Sequence, residues 1–320
     1  MFSSLRARIL LAALTAIVLA LTINGIASYI TVKHHNSEQV NHNLDAVVRG
    51  NTQAINEWVV ARSSMLHAME NATTLNDPMP ALLQLATSGG FLTTYMAYPH
   101  TAEAVFSDGW VPPSDFDPRE RPWFKEAVEA QSTVISSPFV DAISGELVVA
   151  FARPFYQNGE LTAVVGADIT IADVIDIVTS ISPTPSSFGF LTTHDGTLVA
   201  HPDESLTLEP SNVLSAELTS SDLTRIVQAG TPQPLTLQGS DKLLMGSTVG
   251  GNSGWQLVVA LDEAEATAGL RAIATTSIVT LLIVAGITAV VFGLLLSLLL
   301  RRLLGVRNAM DNIASGEGDL

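Results

Sequence analysis

One octapeptide concentrates the chemistry of this 320-residue chain: Asp117-Pro118-Arg119-Glu120-Arg121-Pro122-Trp123-Phe124. A guanidinium is a planar fork of donors that pairs bidentately with a carboxylate, and an indole N–H can only donate. Arg121 beside Trp123 is therefore chemistry for holding an anion. Its rival is local: Asp117 or Glu120 takes Arg121 in a surface ion pair, and Trp123 and Phe124 pack the helix they begin. Two carboxylates stand further on, Asp141 and Asp168. Either can face an ammonium or do acid–base work, and Asp168 can instead cap a helix near Ile171. Bond-making has little else to draw on. There is no cysteine, and no G-x-S-x-G, H-E-x-x-H or P-loop. His100, His194 and His201 are isolated, and no His/Asp/Glu set has metal-ligand spacing. The residues point to binding without a cofactor, not to an enzyme.

The elements that must position these residues are framed by two uncharged apolar runs, Ile9 to Ile30 and about Thr276 to Leu300. About 20 apolar residues cross a bilayer core. Arg6 and Arg8 precede the first run, and Arg301, Arg302 and Arg307 follow the second. Basic residues at span ends mark the cytoplasmic side, so both termini are cytoplasmic and Lys33 to Arg271 lies outside. A cleaved signal peptide is the competing reading of the first run, with Gly25-Ile26-Ala27 as its small-residue site. The run exceeds the usual h-region of about 7–15 residues, which favours a retained anchor. Between residues 31 and 272 there are 28 Asp and Glu against 10 Lys and Arg. Such a domain repels nucleic acid. The acidity suits a Gram-negative periplasmic domain or a salt-adapted organism.

Apolar residues at three- and four-residue spacing (Val40, Leu44, Val47, Val48, Ile55, Val59, Met65, Met69) predict a helix over 34–75. Residues 88–182 read as a mixed α/β sheet module. Its strands are expected at Phe91–Ala97, Ala104–Ser107, Thr133–Val140, Glu146–Phe155 and Leu161–Ile169, with turns at Gly145 and Asn158-Gly159. Helices are expected at Trp123–Ala130 and Ile171–Ser180. After the breakers Ser182-Pro183-Thr184-Pro185-Ser186-Ser187, a second, smaller module follows. Its strands are Phe188–Thr193, Thr197–His201, Pro234–Leu237, Leu243–Val249 and Trp255–Leu261, with a hairpin at His194-Asp195-Gly196 and a helix at Leu223–Gln228. The similar order of the two suggests an internal repeat.

The D-x-R-x-R-x-W-[YF] stretch at Asp117–Phe124, with Gly166-Ala167-Asp168-Ile169 at a strand end, resembles the double-Cache sensor domain of bacterial chemoreceptors over about residues 34–265. The tail is similar to the start of a HAMP linker of methyl-accepting chemotaxis proteins. That likeness rests on Arg301-Arg302-Leu303-Leu304-Gly305-Val306-Arg307-Asn308-Ala309-Met310 and Ile313 to Leu320, which ends G-E-G-D-L. Arg302 stands where many such linkers carry proline. Leu303, Val306, Met310 and Ile313 have the spacing of a coiled-coil seam.

The resemblance implies an α+β fold, with two PAS-like modules on one long N-terminal stalk helix between two transmembrane helices. Residues 1–8 are then cytoplasmic, 9–30 the first span and 31–75 the stalk. A membrane-distal, ligand-binding module occupies 76–182 and a membrane-proximal one 183–270. The second span is 274–300, and 301–320 begin the linker of a truncated chain. The implied function is a homodimeric inner-membrane chemoreceptor for a small extracellular ligand, an amino acid or a related zwitterionic amine. The same sensor on a histidine kinase or diguanylate cyclase is the alternative, and a tethered periplasmic enzyme the remote one. By family resemblance Arg121 and Trp123 hold the ligand carboxylate, Asp168 its ammonium, and Asp141 a second acidic position. Phe116, Phe124 and Phe139 stand where amino-acid binders carry tyrosine. With Trp123 they form an expected aromatic box, which suits a betaine-like nitrogen.

Overall fold

The computed structural model describes residues 5–140 and 146–314. Helix α1 (Leu5–His67) is unbroken over 63 residues and ends in a 3-10 stretch, Ala68–Thr74. The chain divides into two compact units, Val40–Ala266 and a second made of 1–39 with 267–320. In the first, α2 (Met79–Gly89) leads into β1 (Thr93–Ala97) and β2 (Ala104–Phe106). Helix α3 (Pro122–Ala130) follows. Then come β3 (Val134–Ile135), β4 (Phe139–Val140), β5 (Leu147–Gln157) and β6 (Glu160–Thr170). Helix α4 (Ala172–Thr179) passes to β7 (Phe188–Thr193) and β8 (Leu198–Ala200). After α5 (Ser220–Ala229), β9 (Gln233–Leu237), β10 (Ser240–Val249) and β11 (Trp255–Asp262) complete the unit, which ends on α6 (Glu263–Ala266).

The first sheet runs β2-β1-β6-β5-β3, with β4 also on β5, and the second runs β8-β7-β11-β10-β9. Each places its first strand between its second and last, and each inserts a helix before its third. The repeat suggested by the sequence is thus a repeat of topology. All recorded pairings are antiparallel. Asn158 and Gly159 both take positive φ between β5 and β6, as a two-residue hairpin turn requires.

Leu44, Val48, Ile55, Val59 and Leu66 of α1 recur at alternating spacings of four and seven. They are buried in one core with Phe151 and Val165 of the first sheet and Leu191, Leu257 and Val259 of the second. The helix from Val40 onward is therefore a shared spine for both sheets, which explains its amphipathic spacing. Trp58 Nε1 donates to Asp173 of α4 at 3.3 Å, and Arg62 reaches the same carboxylate at 3.5 Å.

Two elements differ from expectation. Helix α2 was not foreseen, although Pro80 in its first turn and the left-handed Gly90 at its end are ordinary start and stop signals. The strand expected at Thr133–Val140 is two short ones, interrupted over Ser136–Pro138, where Pro138 has no N–H for a ladder bond. Gly145 lies outside the described residues.

In the other unit, α1 and α7 (Ala268–Ala314) each carry a stretch long and apolar enough to cross a membrane. Ile23, Ile26 and Ile30 on α1 and Leu282, Ile287 and Leu294 on α7 are exposed, as lipid-facing side chains are. With the flanking charges this gives a two-pass inner-membrane topology, with the intervening domain periplasmic. Leu303, Val306, Met310 and Ile313 fall in the last turns of α7, but their side chains, like residues 315–320, lie outside what is described.

A buried polar cluster closes the end of the second sheet. Lys242 Nζ donates to Asp262 Oδ2 at 2.9 Å and to the Ser186 carbonyl at 2.7 Å. Asp262 Oδ1 caps Glu265 N at 2.9 Å, and the Glu265 carboxylate accepts from Ser186 N and Oγ at 3.0 and 2.8 Å. The hydrogen bond from Lys242 holds the Asp262 carboxyl below its ordinary pKa. The side chains of Lys242 and Asp262 are only 6% and 12% exposed. Lys242→Met strands a buried carboxylate and is expected to lower stability by roughly 3–5 kcal/mol, whereas Lys242→Met with Asp262→Leu recovers most of that. A depressed carboxylate pKa contributes stability at neutral pH that is lost as pH falls through the folded-state value. Thermal denaturation of wild type and Lys242→Met should therefore converge in acid.

Candidate functional site

The face of the first sheet beneath α3 is made of small residues. Tyr95 pairs with Gly166, and Gly166 with Ala152. Thr93 pairs with Asp168, and Asp168 with Ala150. Partners in register share a face, so Tyr95, Ala150, Ala152, Gly166 and Asp168 point the same way. A Cβ on Gly166 would lie 2.0 Å from Tyr95 Cε2. The phenol ring therefore occupies the space over the glycine. From there its hydroxyl donates to Asp168 Oδ1 at 2.9 Å. Tyr95 is 3% exposed. Burial first, then the Asp168 charge and its hydrogen bond, raise the Tyr95 pKa well above its ordinary value, and Arg121 opposes that rise. Tyr95 is thus a fixed donor that orients the Asp168 carboxylate.

Above this floor lies a cavity of about 550 Å³, within the range of small-molecule sites. Its walls include Phe106, Trp110, Phe116, Trp123 and Phe139, with Arg121, Glu126 and Ser136 supplying polar groups. Trp123 and Tyr95 pack in a T-shaped contact with 4.9 Å between ring centroids. Trp110 packs edge-on against Phe106 and Phe116 at 4.7 and 5.3 Å.

Local folding explains why Arg121 is available. Asp117 caps the 3-10 turn Pro118–Glu120 by accepting from Arg119 N at 2.9 Å. The same carboxylate takes the Arg119 guanidinium at 2.6 Å, and Glu120 takes Lys125 at 2.6 Å. Both rivals for Arg121 are occupied. Arg121 is the N-cap of α3, with its guanidinium carbon 5.8 Å from the Phe116 ring centroid. Among the described residues no carboxylate lies within ion-pair distance of it. Asp168 does not cap α4, whose N-cap is Ile171 without a side-chain bond.

Arg121, Trp123, Asp168, Phe116 and Phe139 are brought together around one cavity. Phe124 is not. Its ring is buried with Ala97, Ala127, Val134, Ala152 and Val164 under α3, because the i, i+3 face of a short helix that holds Phe124 and Ala127 must be the buried one. Asp141 lies outside the described residues. The expected aromatic box is correspondingly altered: Phe124 belongs to the core, Phe116 faces Arg121, and Phe139 is 41% exposed. Sequence reasoning missed Tyr95, Phe106, Trp110 and Glu126. Tyr95 and Asp168 are 73 residues apart, and only the strand register joins them.

The family described as Cache domain matches residues 22–270. The methyl-accepting chemotaxis protein PctB of Pseudomonas aeruginosa is 30% identical over 295 residues, 87% of this chain and 44% of that protein. Two structures of ligand-binding domains from the same organism resemble this one. That of the amino acid chemoreceptor PctC in complex with GABA has a TM-score of 0.61 at 24% identity, covering 70% of this chain and all of that one. That of PctB in complex with L-Arg has a TM-score of 0.57 at 25% identity, covering 72% and 97%. The chain spans about half the length of the curated relatives it matches.

Gly166→Ala drives a methyl group into the Tyr95 ring. Overpacking of this kind costs about 1–3 kcal/mol and moves the hydroxyl from Asp168. A thermal melt should show the loss, and Gly166→Ala combined with Tyr95→Ala should melt above the sum of the two single effects, because the clash is relieved.

Proposed function

This chain belongs to the Cache domain family, and from that premise we propose that it is the sensing half of a chemoreceptor that binds a small zwitterion. Arg121 takes the ligand carboxylate in a bidentate bond, with the Trp123 indole as a further donor. Asp168, held by Tyr95, takes the ammonium. The carrying observation is the state of Arg121: an arginine at the lip of an aromatic cavity, with both neighbouring carboxylates engaged by other cations. GABA and L-Arg, present in the two similar structures, each join a carboxylate to an amine, as this reading requires.

The altered aromatic box bears on the nitrogen. A quaternary ammonium needs several free ring faces. Of the four rings expected, Phe124 is core, Phe116 faces Arg121 and Phe139 is at the exposed rim. An oriented carboxylate acceptor at Asp168 suits N–H donors better, so a primary amine is favoured over a betaine. Output passes through α7 toward a HAMP-like coiled coil in a homodimer, without catalysis by this domain.

Calorimetric titration of the chain in a non-ionic detergent tests the reading. Alanine is expected to bind more tightly than glycine betaine; the reverse order would restore the quaternary-nitrogen reading. Arg121→Ala removes a charged partner from a partly desolvated site at a cost of roughly 2–5 kcal/mol, about 30-fold or more in affinity. Unchanged affinity in Arg121→Ala would make the arginine structural and remove the carboxylate assignment.

A further inference from the structure

Resting on the zwitterion reading of the same cavity, we propose that Glu126 selects for a second positive charge on the ligand, so that the preferred class is a basic amino acid. Glu126 lines the cavity from α3. It lies three residues beyond Trp123, on the same side of the helix. The rise between them is about 4.5 Å, within reach of a four-carbon side chain whose carboxylate is held near Trp123.

Among the described residues no cation answers this carboxylate. The adjacent Lys125 is engaged by Glu120 at 2.6 Å and Arg119 by Asp117 at 2.6 Å. Arg121 is turned toward Phe116. Among the described residues Glu126 has neither a hydrogen bond nor an ion pair.

The cavity therefore has one carboxylate, Glu126, that no described cation meets. Its described lining holds one cation, Arg121, and two carboxylates, Asp168 and Glu126. A neutral zwitterion satisfies Arg121 with its carboxylate and Asp168 with its ammonium, and leaves Glu126 facing aromatic walls with nothing to pair with. A ligand with a terminal ammonium or guanidinium pairs all three. A neutral side chain gains only apolar contact and covers a carboxylate that then loses water without a partner. Glu126 is exposed in the free protein, so the selectivity is a screened, surface-type effect of about three- to fivefold, which tunes preference without deciding whether the site binds at all.

The test is a calorimetric comparison of L-lysine with L-norleucine, which lacks only the terminal ammonium. It uses the whole chain in a non-ionic detergent at low ionic strength. Wild type is expected to bind lysine about three- to fivefold more tightly. Glu126→Gln should weaken lysine and abolish its preference over norleucine, whose own binding should stay level or tighten slightly as the desolvated charge is removed. Equal binding of the two by wild type, or a lysine preference that persists in Glu126→Gln, overturns the role of Glu126 while the zwitterion reading stands. If neither amino acid binds, the zwitterion reading falls and this inference falls with it.

Discussion

A carboxylate set into the face of a β-sheet has to be met by a donor, and the Tyr95–Asp168 bond is that donor. The rest of the site is arranged around it. A half-buried carboxylate is costly to leave without a partner, and Tyr95 supplies one to Asp168 at the third-last position of β6. Tyr95 reaches it only because Gly166 has no side chain: the ring occupies the space a Cβ would take. The glycine is thus a packing requirement, and it in turn keeps the sheet floor low enough for a cavity to exist above it.

The two modules make the point by contrast, because they share one strand order. In the first sheet Asp168 is flanked in register by Thr93 and Ala150. In the second, the residue two before the end of the last strand is Ala260, flanked by Phe188 and Leu244. One step along, Gly166 corresponds to Val258, and its neighbour Tyr95 to Phe190. The second sheet fills this face with Phe190, Leu244, Val258, Leu223 and Ile226. The first has Ala97, Phe124, Ala127, Ala152 and Val164, mostly small side chains that leave volume uncovered. Apolar bulk in one copy of the topology makes a core. Small residues and one carboxylate in the other leave a cavity.

The architecture was largely legible because it rests on periodicity. The i, i+3, i+4 pattern from Val40 to Met69 marked the spine helix, and the Asn158-Gly159 pair marked a hairpin. The octapeptide, singled out by its resemblance to a sensor family, contributes Arg121 and Trp123 to the cavity of the first module. Legibility stopped where side chains meet across the fold. Nothing near Phe124 says that it turns into the core while Trp123, one residue earlier, turns to the cavity. That follows from which face of α3 the sheet buries. Nothing near Tyr95 announces Asp168. The ion pairs Arg119–Asp117 and Lys125–Glu120 are readable in principle, since all four residues lie in one motif. Which arginine takes Asp117 is nevertheless settled by the 3-10 turn, which brings Arg119 N and its guanidinium to the same carboxylate.

A sensor also needs its site joined to elements that have more than one arrangement to choose between. Asp168 lies two residues before the end of β6, and α4 begins at Ala172, so the cavity-lining carboxylate is connected to α4 by a few residues of backbone. Helix α4 is gripped from two sides. Trp58 and Arg62 of the spine helix meet its Asp173, and α4 packs on β7 and β8 of the second sheet. The segment after α4 is held in turn by Lys242, Asp262 and Glu265 through Ser186 and Ser187, and Glu265 sits in the short helix immediately before α7. The polar bonds along this route are few and directional, whereas the apolar cores on either side are extensive. Exchange of a handful of hydrogen bonds is a smaller cost than repacking a core, and these bonds link the end of β6, α4 and the Ser186 cluster.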